Sequence, residues 1–234
     1  MQKSVASEIL GDFFALFFPR YCRGCNDALT KGEELICTRC MLEMPRSNYH
    51  LDSENPFYHK LRGRLPVKHV MTLFRFAKGS RVQHILHALK YKNVPELGNA
   101  LGRIYGRDLI EANFKNEFDL IIPVPLHRSR RRSRGYNQSE EFGKGLGEIL
   151  EVPCSDRVVL RNVKTKTQTR KSRLDRWENV HEVFTVALPD QVKNHRVLLV
   201  DDVVTTGATL EACGRILIEA GCAELSIACI ASAQ

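Results

Sequence analysis

One strand–loop–helix segment constrains the fold of this chain more than any other feature. Four apolar residues, Val197–Val200, are followed by the carboxylates Asp201 and Asp202 and then by a turn rich in Thr and Gly. A short apolar run of this kind is typical of a buried strand in a parallel sheet, and a helix is predicted over Gly207–Ala220. Ligands of open α/β sheets bind beyond the carboxyl ends of the strands, so both carboxylates are expected in a ligand site.

The turn after this strand has the residue types of a phosphate-binding loop. The N–H groups of a helix N-terminus suit a phosphate, Gly207 permits close approach of the backbone, and Ala208 keeps its position small. Three further donors are the hydroxyl groups of Thr205, Thr206 and Thr209. Because carboxylates repel phosphate, Asp201 and Asp202 would accept hydrogen bonds from sugar hydroxyls or hold Mg²⁺. The segment therefore predicts a ribose 5-phosphate site, and the alternative is a capped helix flanked by surface acids.

Strands and helices alternate through the rest of the chain, which predicts a parallel α/β sheet flanked by helices. The predicted strands are His69–Phe76, Asp119–Val124, Arg157–Leu160, Val183–Val186, Arg196–Val200 and Leu225–Ile230. The other predicted helices are Val82–Tyr91, Leu97–Ile110 and Asn137–Leu150. Three glycines in the last of these, Gly143, Gly145 and Gly147, are expected to permit close packing on the sheet. A polar stretch broken by prolines, Met44–Pro66, predicts a division into residues 1–60 and 61–234.

Paired cysteines mark the N-terminal part. Cys22 and Cys25 form one C-x-x-C pair, and Cys37 and Cys40 form a second. Four thiolates at this spacing can surround one Zn²⁺ tetrahedrally, which predicts a structural zinc ribbon without an open coordination position. A redox role for the pairs is the weaker alternative. The remaining four cysteines lie in apolar stretches and are expected to pack as small core residues.

A dense group of arginines follows the strand Asp119–Val124 and is expected to form a loop at the end of that strand. The five are Arg128, Arg130, Arg131, Arg132 and Arg134. Arginine forks bind phosphate oxygens well, so this group could clamp a pyrophosphate or contact a nucleic acid, and one segment could do both. The third interpretation is a solvated face without a binding role. Tyr136 and Trp177 are candidate surfaces on which nucleobases would stack.

A second basic stretch, Arg161–Asn179, has no periodicity and predicts a long loop. Its candidate contacts to pyrophosphate or DNA are Lys164, Lys166 and Arg176. Long loops in compact domains commonly act as lids or binding loops, and an exposed loop without a special role is the alternative.

Composition places the 234-residue chain among globular proteins, with 43% hydrophobic and 26% charged residues. A net charge of +8 favours polyanionic partners without choosing among them. The apolar segment Ile9–Phe18 is shorter than the roughly 18 residues that span a bilayer, and Asp12 interrupts it. It predicts an amphipathic helix, with a membrane-surface role as the alternative. Without a membrane span or a signal peptide, the chain is expected in the cytoplasm with reduced thiols.

These motifs resemble two nested families. The segment Val197–Thr209 resembles the 5-phosphoribosyl-1-pyrophosphate (PRPP) signature of type I phosphoribosyltransferases, which implies a Rossmann-like sheet over roughly residues 65–234 with Mg²⁺ bound alongside PRPP. The runs PVPLHRSRRRSRGYNQS, KTKTQTRKSRLDRWENVHEVF and LKYKN, together with the paired cysteines, resemble the ComF family. This resemblance places family residues at Arg130, Arg134, Gln168, Arg176 and Asn179.

The ComF resemblance implies a competence-related protein of the cytoplasm that handles single-stranded DNA after uptake, with a DNA-uptake helicase as a partner. Two functions are open. One is phosphoribosyl transfer to an acceptor that the sequence does not name, and the other is non-catalytic binding of single-stranded DNA with PRPP as a regulatory ligand. An amidotransferase of purine synthesis would need an N-terminal cysteine nucleophile, but the first cysteine, Cys22, lies in a C-x-x-C pair.

Overall fold

A four-stranded, all-parallel sheet forms the centre of the computed structural model, which describes residues 17–162 and 183–233. Its strand order is β1-β6-β5-β2, with every neighbouring pair parallel. The strands are β1 (Val70–Phe76), β2 (Leu120–Pro123), β5 (Arg196–Val204) and β6 (Glu224–Ala233). A separate antiparallel pair consists of β3 (Val159–Arg161) and β4 (Phe184–Val186). The parallel α/β fold expected from the sequence is confirmed.

Seven helices lie in the described part of the chain. They are α1 (Thr38–Glu43), α2 (Pro56–Arg62), α3 (Arg81–Tyr91), α4 (Pro95–Glu111), α5 (Arg128–Arg134), α6 (Gln138–Leu150) and α7 (Ala208–Glu219), and a 3₁₀ turn spans Pro189–Gln191. None of these helices is both long enough and apolar enough to cross a bilayer.

Alternating side chains of the strands divide the core between the two faces of the sheet. In β5, Leu198 and Val200 pack with α3, α4 and α6, whereas Val197 and Leu199 pack with α2, α7 and the β3–β4 pair. This follows from the two-residue repeat of a strand, because a strand covered on both faces must be apolar at every position. The cysteines Cys22, Cys37 and Cys40 join the first of these two clusters.

The strand β5 is longer than predicted. The apolar run indicated Arg196–Val200, but pairing with β6 continues to Val204, so Asp201 and Asp202 lie within the strand and not beyond it. The reason is the length of β6, which offers partners through Ser232 for a segment that carries polar side chains.

The segment Met44–Pro66 contributes to the core despite its prolines. Asn55 caps α2 by accepting the N–H groups of Phe57 and Tyr58 at 3.2 and 3.0 Å, and Pro56 begins the helix. The side chains of Phe57 and Leu61 are buried on the sheet. The division proposed at residues 60 and 61 stays a prediction, and α2 lies across it.

The glycines of α6 serve two different contacts. A Cβ atom on Gly143 would meet Val200 and Ile121 of the sheet at 3.1 and 3.2 Å, as expected. A Cβ atom on Gly145 would instead lie 2.1 Å from the carbonyl oxygen of Asn99, so this glycine permits close approach of α4 and not of the sheet. Helical spacing places residues two positions apart on different sides of the helix, which the sequence prediction overlooked.

Several sequence predictions lie outside the described residues. These are most of the amphipathic helix Ile9–Phe18, nearly all of the loop Arg161–Asn179, and its residues Lys164, Lys166, Gln168, Arg176, Trp177 and Asn179. Of the four scattered cysteines, Cys213 and Cys229 are buried in the core, while Cys154 and Cys222 are partly buried.

Candidate functional site

The two carboxylates of β5 are held by contacts from neighbouring helices. Asp201 accepts a hydrogen bond from the hydroxyl of Ser139 at 2.9 Å and one from the backbone N–H of Asp202 at 2.8 Å. Asp202 forms an ion pair with Lys90, with 2.9 Å between Nζ and Oδ2. Burial, and then the adjacent charge of Asp202, raise the pKa of Asp201 well above its usual range. Hydroxyl groups or a cation would therefore be favourable partners for this pair.

The predicted phosphate-binding loop, Thr205–Thr209, follows directly after the end of β5. Gly207 has φ +79° and stands before the first residue of α7, while Thr205, Thr206, Ala208 and Thr209 are exposed around it. The Thr206 hydroxyl accepts the N–H of Ala208 at 3.4 Å. These positions put backbone N–H groups and hydroxyl groups at the positive end of a helix of 12 residues, which is an arrangement that suits a phosphate.

Two cations, Lys60 in α2 and Arg64 two residues after its end, hold the same loop from the other side. Lys60 donates to the carbonyl oxygen of Thr205 at 2.7 Å, and Arg64 donates to that of Thr206 at 3.3 Å. Arg64 also pairs with Glu211 of α7 at 3.1 Å. Their contacts to carbonyl oxygens fix the loop and bring positive charge beside it.

We expect Gly207→Ala to destabilise the protein more than a left-handed glycine in open space does. An added Cβ would lie 2.7 Å from Cδ2 of the buried Leu61, whereas Gly79, with φ +77°, has nothing within 4 Å. Gly79→Ala is the matched control and should lower the free energy of unfolding by about 1–2 kcal/mol. Gly207→Ala should lower it by about 1–3 kcal/mol more, because the core must shift. Urea titration measures both, and equal losses would contradict the crowding at Leu61.

The arginine-rich segment forms the helix α5, and not the predicted loop. His127 caps it by accepting the N–H of Ser129 at 3.3 Å, and Gly135, with φ +80°, ends it. Arginine is a good helix former, which explains why this polar run adopts about two turns of helix. None of its residues is buried.

The five arginines differ in their contacts. Arg131 pairs with Asp156 at 3.3 Å and with Glu140 at 3.5 Å. Arg134 donates to the side chain of Gln138 at 2.8 Å. The other three are exposed and have no hydrogen bond or ion pair within residues 17–162 and 183–233; they are Arg128, Arg130 and Arg132. These three are the arginines that remain available to a polyanion.

Arg161 lies between the arginine helix and the carboxylates. Burial, and then the charge of Arg130, lower its pKa, whereas the carboxylate of Asp201 raises it. Its guanidinium also lies 5.3 Å from the ring centroid of Phe184. The positive charge of α5 therefore extends toward the carboxylate pair through a half-buried arginine.

The side chains that surround the carboxylates and the loop were not predicted from the sequence as site residues. The missed side chains are Lys60, Arg64, Lys90, Ser139 and Arg161. Two lie within motifs that carried the family resemblance, since Lys90 belongs to LKYKN and Ser139 ends PVPLHRSRRRSRGYNQS. Lys60 lies in the short helix α2 and Arg64 just after it, and only the packing of this segment against the start of α7 brings them to the loop.

The four paired cysteines converge as predicted. The Sγ atoms of Cys22, Cys25, Cys37 and Cys40 lie within 4.8 Å of one another. The Cys22–Cys40 and Cys25–Cys37 distances between Sγ atoms are both 3.7 Å. Zn–S bonds of about 2.3 Å in a tetrahedron require an S–S distance of about 3.8 Å, so the donor set fits a structural zinc ion.

Backbone donors surround one sulfur of this cluster. The N–H groups of Gly24 and Cys37 lie 3.3 and 3.2 Å from Sγ of Cys22. Burial raises the pKa of this thiol, but these hydrogen bonds outweigh burial and lower its pKa to about 7. By contrast, burial raises the pKa of Cys25 to about 11 and that of Cys40 higher still. A cation would be needed to hold all four as thiolates.

The cysteine module, residues 20–43, is joined to the sheet domain through α3. Nδ1 of His84 lies 2.8 Å from the carbonyl oxygen of Gly24. Arg81, also on α3, pairs with Glu43 at the end of α1. The same helix carries Lys90 at its other end, so α3 contacts both the cysteine module and the carboxylate site.

Comparisons with known proteins agree with this arrangement. The profile of the family described as phosphoribosyl transferase domain matches residues 116–234. Competence protein F of Haemophilus influenzae is 28% identical over 90% of this chain and 96% of its own length. DNA utilization protein YhgH of Escherichia coli K12 is 29% identical over 89% of this chain and 88% of its own. Competence protein ComFC of Bacillus subtilis is 23% identical, with coverages of 86% and 79%.

About nine-tenths of the chain aligns with the first two relatives, so the similarity extends well beyond the residues that the family profile matches. The profile match takes in the strand β5 with both carboxylates, the arginine helix α5 and the loop before α7. The chain therefore belongs to the phosphoribosyl transferase domain family and is a ComF-type protein.

Proposed function

We propose that this protein binds PRPP at the carboxyl end of β5. The observation that carries the proposal is the succession of Asp201, Asp202 and the loop Thr205–Thr209, which joins acceptors for ribose hydroxyls to donors for a 5-phosphate. The description of the matching family points to phosphoribosyl chemistry. The names of the relatives point to competence and DNA use, and we extend both to this chain as proposals.

Each group of the site has a definite task in this proposal. Asp201 and Asp202 accept hydrogen bonds from the vicinal hydroxyls of the ribose. The first-turn N–H groups of α7 and the three Thr hydroxyls bind the 5-phosphate. Arg130 and Arg132 hold the pyrophosphate, whose charge grows as it leaves C1 of the ribose, and donors aimed at developing charge lower the barrier.

Magnesium fits the same site because Asp201 and Asp202 offer oxygen ligands and place two carboxylate charges side by side. Asp202 is paired with Lys90 and keeps 18% of its side chain exposed. In the proposed complex Asp201 and Asp202 hold Mg²⁺ beside PRPP, and the ion would neutralise part of the pyrophosphate charge. Lys90 would then be released from Asp202 and turn toward the phosphate groups.

Calorimetric titration of the purified protein with PRPP, with and without Mg²⁺, tests the binding. We expect binding that is tighter with Mg²⁺, and the absence of heat under both conditions would refute it. Release of pyrophosphate in the presence of candidate acceptors then separates a transferase from a protein that uses PRPP as a regulatory ligand.

A second proposed function is the handling of single-stranded DNA in the cytoplasm. The observation that favours it is the exposure of Arg128, Arg130 and Arg132 without acidic partners in the described part of the chain, on a protein with a net charge of +8. The same arginines are the candidates for the pyrophosphate, so PRPP and DNA should compete. A helicase of DNA uptake is the partner that the family implies for this role.

Replacing Arg128, Arg130 and Arg132 together with Gln should weaken binding of single-stranded DNA and flatten its dependence on salt. Each phosphate contact adds about −0.7 to the slope of log K against log salt, so the slope should fall in magnitude by about 2. Fluorescence anisotropy with a labelled oligonucleotide, titrated with salt, measures this change.

The matched control is Arg131→Gln on the same helix. Glu140 and Asp156 already compensate the charge of Arg131, so its loss should change the slope by less than any one of the three exposed arginines. An unchanged slope in the triple variant would remove α5 from the DNA contact. Failure of PRPP to displace bound DNA would show that the two ligands use separate sites.

A further inference from the structure

An exposed aromatic side chain lies near the arginine helix α5, on the side of α3 that leads to the cysteine module. Tyr91, at the end of α3, is 67% exposed. The guanidinium of Arg134 lies 5.6 Å from its ring centroid, and the ring of His87 lies 4.8 Å away at an angle of 43°. The tyrosine ring is thus supported by side chains of two different helices while most of its surface faces solvent.

The same surface continues to the cysteine module. A depression of about 230 Å³ is lined by Lys92 and by His87, whose ring contacts Tyr91, and by Arg23 and Asn26 of the module. We call the continuous set Arg134, Tyr91, His87, Lys92 and Arg23 the α3 track. It connects the arginine helix with the cysteine module and carries cations on both sides of an aromatic ring.

The other tyrosine of this region is unavailable for the same role. Tyr136 is partly buried, and its hydroxyl donates to the carbonyl oxygen of Leu89. The hydroxyl of Tyr91 makes no hydrogen bond within residues 17–162 and 183–233, and its ring contacts there are the guanidinium of Arg134 and the tilted ring of His87. An aromatic ring that is mostly exposed and lies among cations is a suitable platform for a nucleobase.

We propose that the α3 track binds single-stranded nucleic acid, with one base stacked on Tyr91, whose ring Arg134 supports, and the flanking phosphates held by Lys92 and Arg23. The inference rests on the proposed handling of DNA and assigns a base-stacking residue to it. Lys90, which precedes Tyr91, reaches Asp202 at 2.9 Å, so the track borders the proposed PRPP site. A strand on the track would therefore meet both the arginine helix and the cysteine module along one path.

Stacking requires a nucleobase, whereas ionic binding requires only phosphates. The two contributions can therefore be tested separately. Tyr91→Ala should lower the affinity for a labelled oligothymidylate about tenfold, which is about 1.4 kcal/mol and lies within the usual contribution of one stacked base. Tyr91→Phe should retain the affinity, because the ring remains. The salt slope should stay unchanged in both variants, since no phosphate contact is lost.

Two controls separate stacking from a general effect on folding. An abasic oligonucleotide of the same length has phosphates without bases, so Tyr91→Ala should leave its affinity unchanged. The matched protein control is Tyr58→Ala on α2, where Arg62 lies 5.6 Å from the tyrosine ring and His59 lies 5.9 Å from it. This second group repeats the residue types of the track on the other face of the sheet and should not affect DNA binding.

The outcomes distinguish the inference from the function on which it rests. If the unaltered protein binds no single-stranded DNA at low salt, the proposed DNA function fails and the track fails with it. If it binds and Tyr91→Ala binds equally well, DNA handling stands and the track is refuted. An equal loss for the normal and the abasic oligonucleotide would also refute stacking on Tyr91.

Discussion

Replacing Cys40 with Ser is expected to abolish stoichiometric zinc binding and to unfold the cysteine module. Four sulfur atoms within 4.8 Å of one another constitute the site, and Cys40 is fully buried in it. Structural zinc contributes about 10–16 kcal/mol of apparent binding free energy in small peptides, more than a module of this size can replace by burying apolar surface. Elemental analysis should give one zinc per chain for the unaltered protein and much less for the variant.

The effect should extend beyond the module. Cys22, Cys37 and Cys40 share a core cluster with Val82 and Ile85 of α3, so loss of the module exposes apolar side chains of the sheet domain. We expect the midpoint of thermal unfolding to fall, and we expect a chelator to have the same effect on the unaltered protein.

Cys222→Ser is the control, because Cys222 is a partly buried cysteine that lies outside the cluster. It should retain both zinc and stability. A folded, metal-free protein with the melting temperature of the zinc-loaded form would contradict the structural role of the site.

The second large effect is expected at the carboxylate pair. Asp201→Asn combined with Asp202→Asn should weaken PRPP binding in the presence of Mg²⁺ at least tenfold, because hydrogen bonds to charged groups contribute about 1.5–3 kcal/mol each. Calorimetry measures this loss, and unchanged affinity would remove both residues from the proposed site.

Although the double variant should weaken PRPP binding, Asp201→Asn alone should not lower the stability of the ligand-free protein. Its pKa is raised by burial, and then by the charge of Asp202, so folding disfavours the ionised form. The unfolded state therefore binds fewer protons than the native state between the unfolded and the folded pKa, and stability falls as pH rises through that interval. Asp201→Asn alone should remove this penalty at neutral pH, while its oxygen still accepts the bonds from Ser139 and Asp202. Weaker binding by a protein of equal or greater stability cannot be ascribed to unfolding.

Asp119 provides the matched control, because it pairs with Arg196 at the end of β5 that lies away from Asp201 and Asp202. Arg196 donates to this carboxylate from its backbone and its guanidinium, and these bonds lower the pKa of Asp119 to about 2. Its stabilising contribution is present above the ordinary pKa of Asp and is lost as pH falls toward 2. Asp119→Asn should therefore reduce stability at neutral pH and leave PRPP affinity unchanged.

Local sequence patterns determined the parts of this protein that depend on neighbouring residues along the chain. The apolar run Val197–Val200 was sufficient to predict a buried parallel strand, and the spacing of the cysteine pairs was sufficient to predict their convergence. In each case the physical cause is local, because strand burial requires consecutive apolar side chains and a metal knuckle requires two cysteines within one tight turn.

Tertiary structure alone decided which distant side chains complete the site. The pairing of Asp202 with Lys90 and the hold of Lys60 on Thr205 join residues more than a hundred positions apart, and no periodicity in the sequence encodes such contacts. Likewise, the open ring of Tyr91 and the partly buried ring of Tyr136 could not be distinguished by residue type. The reason is that exposure and charge pairing depend on how helices pack on the two faces of the sheet, which the arrangement of the whole chain determines.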